Sequence, residues 1–218
     1  MKKKATFMSR EQRAQPEKRV RLSGEERRAL ILQSAKRVFA RSTYAEASVG
    51  DLARESEITE PMLYKHFGSK KGLFLAILNE YGAQFLEILH KRIADRAEKD
   101  VLDALERVVQ DYTAAVKADP EIQRILFQAV IESADPEIAS CVGKHNRAVY
   151  GFICQLVERA QAEGKLDCAL SPDAATWGYM SMILAIQYGL MLNLSGEIAR
   201  SGDEMSRIWL RGLRAREG

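Results

Sequence analysis

Two sets of side chains in this 218-residue chain have the types and spacing to do chemistry. The first would be covalent. Cys141 and His145 stand one helical turn apart, where an imidazole can take a thiol's proton. The remaining histidines are His66 and His90, and the remaining cysteines are Cys154 and Cys168. None of these residues falls in an H-E-x-x-H, a G-x-S-x-G or a phosphate-cradling glycine loop. A lone pair at this spacing arises readily by chance. The sequence therefore reads as a non-enzyme, with no catalytic residue, no metal site and no cofactor. The scattered cysteines, without a C-x-x-C pair, argue against a disulfide framework and fit a reducing, cytoplasmic setting.

The second set would act without making bonds. Ser48, Thr59, Glu60, Pro61, Met62, Tyr64, Lys65 and Lys70 gather hydroxyls, a phenol and two ammonium groups into one short segment. Such groups meet phosphate oxygens and base edges in DNA. Lys65 can reach a guanine edge or a phosphate. Glu60 favours the helix dipole but repels phosphate, unless it accepts from a cytosine amine. His66 reads as a packed residue closing the head, in preference to a chemical group.

Two short helices with a tight turn are needed to hold these residues. Ser48 is a plausible N-cap for one, and Thr59 for the other, with Pro61 in its first turn, where a missing N–H is harmless. That layout is a helix-turn-helix, whose second helix enters the major groove. Before it, Ser23-Gly24-Glu25-Glu26 forms a capping box. The helix it opens carries Leu30, Ile31, Ser34, Ala35, Val38 and Phe39 on one face. After it, Ser69 caps a long fourth helix running toward Arg96, and a fifth spans about 101–118. Asp119-Pro120, Asp135-Pro136 and Ser171-Pro172 mark three more helix starts. Gly164 ends the long helix that follows Asp135, and Ser201-Gly202-Asp203-Glu204 offers a last capping box. The expectation is an all-α chain of about nine helices. Residues 1–22 form a flexible basic arm, 23–70 a three-helix DNA-binding head, and 71–218 a helical bundle.

Charge agrees with this order. The net charge is only +3, but residues 1–23 carry 8 Lys/Arg against 2 Glu. The rear, residues 81–218, has 16 basic and 20 acidic residues. A polyanion is met at the front, and the arm supplies phosphate affinity that the nearly neutral head lacks. Trp177 to Leu194 is uncharged for 18 residues, or about 27 Å of helix. That is borderline for a bilayer, and its glycines and polar residues point instead to burial in a core or an oligomer interface. No membrane partner is expected.

From about Arg28 to Leu78 the chain resembles the DNA-binding domain of the TetR family of bacterial transcriptional regulators. The matching residues are Val38-Phe39-Ala40, Tyr44, Ser48-Val49, Asp51-Leu52-Ala53, Ile58-Thr59, Leu63-Tyr64-Lys65-His66-Phe67 and Ser69-Lys70-Lys71-Gly72-Leu73-Phe74. The resemblance implies double-stranded DNA as partner and a homodimer through the C-terminal helices, hence a palindromic operator. It also implies a small, largely apolar effector that releases a repressor from that operator. Phe85, Tyr112, Leu126, Phe127, Phe152, Tyr179, Met180, Ile183 and Tyr188 are the candidate effector-binding residues, with His145 and Asn146 as possible polar anchors. An architectural or cell-division-linked DNA binder without effector is the alternative, and a pocketless body would favour it. The family usually places glycine where Thr43 and Glu57 stand. Both turns are therefore expected to carry strain, about 1 kcal/mol for each left-handed non-glycine residue.

Overall fold

The computed structural model describes residues 23–192 and 194–214. The basic arm lies outside the described residues. Among these, eleven α-helices follow one another: α1 (Gly24–Arg41), α2 (Val49–Glu55), α3 (Glu60–Phe67), α4 (Lys70–Ile77), α5 (Ala83–Ala97), α6 (Val101–Glu106), α7 (Val108–Ala118), α8 (Pro120–Ile131), α9 (Pro136–Ala162), α10 (Pro172–Met191) and α11 (Ser195–Leu213).

Local signals set most helix starts. Ser23 and Glu26 complete both halves of the capping box, at 3.1 and 2.7 Å. Ser48, Ser69, Asp119, Asp135 and Ser171 each accept from a backbone N–H in the first turn that follows. Thr59 has the cap backbone but makes no side-chain cap bond. Gly164 closes the end of α9 at φ 70°, a conformation that glycine adopts without a Cβ penalty.

The helix count exceeds the sequence expectation for two reasons. The long fourth helix is continuous in direction but contains a π turn, Leu78–Gly82, that divides α4 from α5. The expected fifth helix breaks at Arg107, between α6 and α7. That break brings Asp103 and Asp111, on successive helices, to one guanidinium: Arg96 lies 3.3 Å from the first and 3.2 Å from the second. Asp111 is almost fully buried, so the pairing offsets the cost of placing its charge there.

Three local expectations are corrected. Leu30 faces solvent, and Leu32 takes the buried place on α1. Ser201 and Gly202 do not start a helix; they lie inside α11, which begins at Ser195. Gly202 is there for close approach, because a Cβ would stand 2.3 Å from Val109 of α7. Thr43 has no left-handed backbone. It forms its own small turn, with its hydroxyl and N–H both bonded to Glu46. Glu57 does sit at φ 52°, so the strain expected of that turn is present there.

The head packs α1, α2 and α3 around Phe39, Leu52, Leu63 and Phe74, all fully buried. Phe39, Tyr44 and Phe74 form an aromatic cluster with ring centroids 4.7–6.0 Å apart. One hydrophobic cluster continues from this head into the body, as far as Leu210. Among the described residues no helix is long and apolar enough to cross a membrane.

Candidate nucleic-acid interface and effector cavity

The turn between α2 and α3 is built by backbone bonds. Glu57 N–H donates to Arg54 O, and Ile58 N–H donates to Ala53 O. Leu52 and Leu63 are buried between the helices. This leaves Thr59, Glu60, Pro61, Tyr64 and Lys65 exposed along one side of α3, with Met62 and His66 partly covered. Thr59 keeps its hydroxyl free of any cap bond. The Tyr64 ring is 46% exposed, ample for a phosphate contact.

Three of the residues expected at DNA are already engaged. The Ser48 hydroxyl donates to Asp51 at 2.6 Å and accepts from its N–H, which leaves the free N–H groups of the α2 start to face an anion. The Glu60 carboxylate lies over that same first turn, 3.3 Å from where a Cβ of Gly50 would be. Lys70 points inward: its ammonium donates to Tyr44 O at 2.9 Å and sits 4.6 Å above the Tyr44 ring. It clamps the start of α4 to the loop before α2.

The head is fastened to the body at several points. Lys36 of α1 pairs with Asp119 at 2.7 Å and lies 5.0 Å over the Tyr81 ring. The Gln128 amide of α8 donates to Phe39 O and Ser42 O, at 2.8 and 3.0 Å. Arg28 pairs with Glu80 of the π turn at 2.9 Å. Lys71 bridges to Asp135 and Glu137 at the start of α9. That pairing holds the Asp135 carboxyl below its ordinary value, against a smaller opposing effect of burial.

Behind this junction the body encloses a cavity of about 800 Å³. α5, α7, α8, α9 and α10 line it. Seven of the nine expected residues reach it: Phe85, Tyr112, Leu126, Phe152, Tyr179, Met180 and Ile183. Phe127 and Tyr188 do not. Phe127 lies on α8 away from the lining, and Tyr188 is 62% exposed on the outer face of α10. His145 and Asn146 both line the cavity.

Other lining residues escaped the sequence reading. The His90 ring lies tilted against Phe152 with centroids 3.8 Å apart, and Gln187 and Trp177 join from α10. Gln187 follows Met180 and Ile183 at helical spacing, a signal that was available. His90 carried no comparable signal, since its role depends on where α9 places Phe152.

Burial lowers the pKa of His145, with Lys144 adding to the effect, so its ring is neutral near pH 7. Burial pushes the Tyr112 phenol up to about 12, against the opposing influence of the neighbouring Gln187 and Gln123 amides. The Cys141 thiol is pushed up by burial and donates to Asn79 at 3.6 Å. A raised thiol pKa is the opposite of what a nucleophile needs. No cluster of metal-binding side chains occurs among the described residues.

A helix-turn-helix head carrying exposed hydroxyl, phenol and ammonium groups, joined to an all-helical body, defines a DNA-binding transcriptional regulator. Comparison with known proteins makes the class specific. Residues 31–77 match the family described as bacterial regulatory proteins, tetR family. Over that head the chain is similar to the TetR family. It is 26% identical over 139 residues to the transcriptional activator FasR of Mycolicibacterium smegmatis, a match covering 64% of this chain and 62%, under two thirds, of FasR. It is 24% identical to the regulator UidR of Escherichia coli K12, over 88% of this chain and 91% of UidR. Its fold is similar to that of the regulator FadR from Bacillus subtilis in complex with stearoyl-CoA. The TM-score is 0.71 at 14% identity, over 85% of this chain and 99% of that one.

Proposed function

We propose that this protein is a ligand-responsive repressor, released from a palindromic operator when a small, largely apolar effector fills the body cavity. In this reading residues 23–70 bind DNA, and residues 71–218 bind effector and pair two copies. Thr59, Pro61, Met62, Tyr64 and Lys65 face the major groove. Ser48 offers the α2 start to phosphate, Glu60 trims affinity to selected bases, and Lys70 positions the loop before α2.

One observation carries the proposal: the π turn touches the cavity wall and the DNA head together. A Cβ on Gly82 would lie 3.2 Å from Leu126 and 3.4 Å from His145, both lining residues. Two residues earlier Glu80 holds Arg28, and Tyr81 lies under Lys36. α8 repeats the pattern, with Leu126 at the cavity and Gln128 on the end of α1. A π turn strains the regular helix ladder and is common at functional sites. A ligand that prefers one arrangement of Leu126 and His145 therefore biases the head, to the extent of its preference. The stearoyl-CoA bound to FadR, an apolar acyl chain on a charged head, supports an effector with a large apolar part for this fold.

The exposed apolar stripe of α10 and α11 supports the pairing of two copies. Trp177, Leu184, Tyr188 and Met191 share one side of α10, and Ile208 stands 62% exposed on α11. Packing two such pairs gives a four-helix bundle. A body without a cavity would have favoured the architectural reading.

The test is selection of bound sequences from random DNA, followed by gel shift at physiological salt. Enrichment of one inverted repeat, and a specific shift on it, are the expected results. Binding without sequence enrichment would remove the regulator reading.

A further inference from the structure

The inner end of the cavity is chemically one-sided. Its apolar wall is Phe85, Leu89 and Ile93 of α5 with Ile153 of α9. Its polar groups are neutral: the Tyr112 phenol, with the Gln123 and Gln187 carboxamides beside it. Gln123 is 7% exposed, and its buried amide nitrogen has no hydrogen-bond partner. It is not part of the cavity wall but stands one helical turn before Leu126, beside the Tyr112 phenol. Of these groups Tyr112 and Gln187 line the cavity and can donate to an oxygen placed in it.

This end lacks a cation. Arg147 is the one Lys or Arg in the lining, and it is exposed, with its guanidinium folded against Gly143. The nearby Asp111 has its charge paired with Arg96, which leaves that guanidinium engaged. A carboxylate placed here would be desolvated without a partner, which is strongly unfavourable.

Resting on the reading of this cavity as the effector site, we propose that the effector is a neutral apolar molecule carrying a carbonyl-type acceptor, received by Tyr112 and Gln187. Its hydrocarbon part lies against Phe85, Leu89, Ile93 and Ile153. The carbonyl oxygen accepts from the Gln187 amide or the Tyr112 hydroxyl. A free acid of the same length is rejected by desolvation alone.

Matched probes test this. 2-Tridecanone and tridecanoate are titrated into the full chain at neutral pH, followed by tryptophan emission, since Trp177 lines the cavity. The ketone should bind at least about tenfold more tightly than the acid, because only the acid has to shed the hydration of a charge. Gln187→Leu should weaken the ketone by a similar factor and leave the melting temperature nearly unchanged. Tyr112→Phe, a smaller change in shape, is the second variant should Gln187→Leu fold poorly. A preference for the acid, or undiminished ketone affinity in both variants, overturns the acceptor assignment and leaves the effector site standing. Binding of neither probe, together with no effect of the cavity-filling Met180→Trp on DNA release by cell extracts, overturns both.

Discussion

Replacing Gly72 by alanine is the sharpest test of how the head is built. Gly72 lies in the first turn of α4, immediately behind the reading helix. A methyl there would fall 2.0 Å from the Phe67 carbonyl oxygen and 3.2 Å from its carbon. Non-bonded contacts settle near 3.5 Å, so the two segments must part by roughly 1 Å or more. The obstacle is backbone at the end of α3 and has no rotamer to escape into. Overpacking of this kind costs about 1–3 kcal/mol, against roughly 1 kcal/mol gained by removing a helical glycine. With backbone as the obstacle the cost falls at the upper end, so we expect a net loss of about 2 kcal/mol, or roughly 4–8 °C in melting temperature for a chain of this size. Because the displaced segment is the C-terminal end of α3, gel-shift affinity should fall by about tenfold, the worth of one lost contact. Gly151→Ala is the control. It sits inside α9 with nothing within 4 Å of its Cβ position, and should gain up to about 1 kcal/mol. Thermal and urea unfolding read both. A Gly72→Ala protein as stable as the parent would refute the close-approach argument.

Other consequences are open to measurement. Glu57→Gly should stabilise by about 0.5 kcal/mol, relief of the left-handed strain exceeding the added unfolded-chain entropy; a lower midpoint in urea would show that the side chain matters more than its φ. His145 should make stability fall with acidity. Its folded pKa is depressed by burial, so below the ordinary value near 6.5 the unfolded chain takes up the proton more readily. The contribution is intact above that pH and is lost as pH falls through it toward the folded value. His145→Gln should flatten the melting-temperature profile between about pH 7.5 and 5.5, and an unchanged slope would count against it. Ile208→Glu, at an exposed stripe position, should shift light-scattering mass toward the monomer without lowering the helical signal; an unaltered mass would place the pairing surface elsewhere.

The expected reading face was largely legible because its logic is local. Ser48, Thr59 and Pro61 mark helix starts, Leu52 and Leu63 repeat at core spacing, and the remaining positions of α3 follow as the exposed side. Lys70 was the exception. Its position suggested a phosphate, but the carbonyls of Tyr44 and Ala45, from a segment distant in the chain, claimed its ammonium. The cavity was legible only in part for a similar reason. Aromatic and methionine residues on α7–α10 were marked as apolar, but spacing could not say which would face inward. Phe127 and Tyr188 belong to the same pattern as their neighbours and turned away.

The sequence alone determined most helix starts and their caps, the strained turn at Glu57 and the resemblance of the DNA-binding head, because each depends on bonds and contacts within a few residues. Tertiary structure decided the break at Arg107, the π turn, the inward clamp of Lys70 and the neutral floor of the cavity. Those features arise where segments remote in the chain meet. Arg96 has to find two carboxylates, Gly82 has to meet α8 and α9, and Tyr112 has to meet Gln123 and Gln187. Local pattern fixes what a segment prefers; the packing of one segment on another fixes which of its side chains are left free to act.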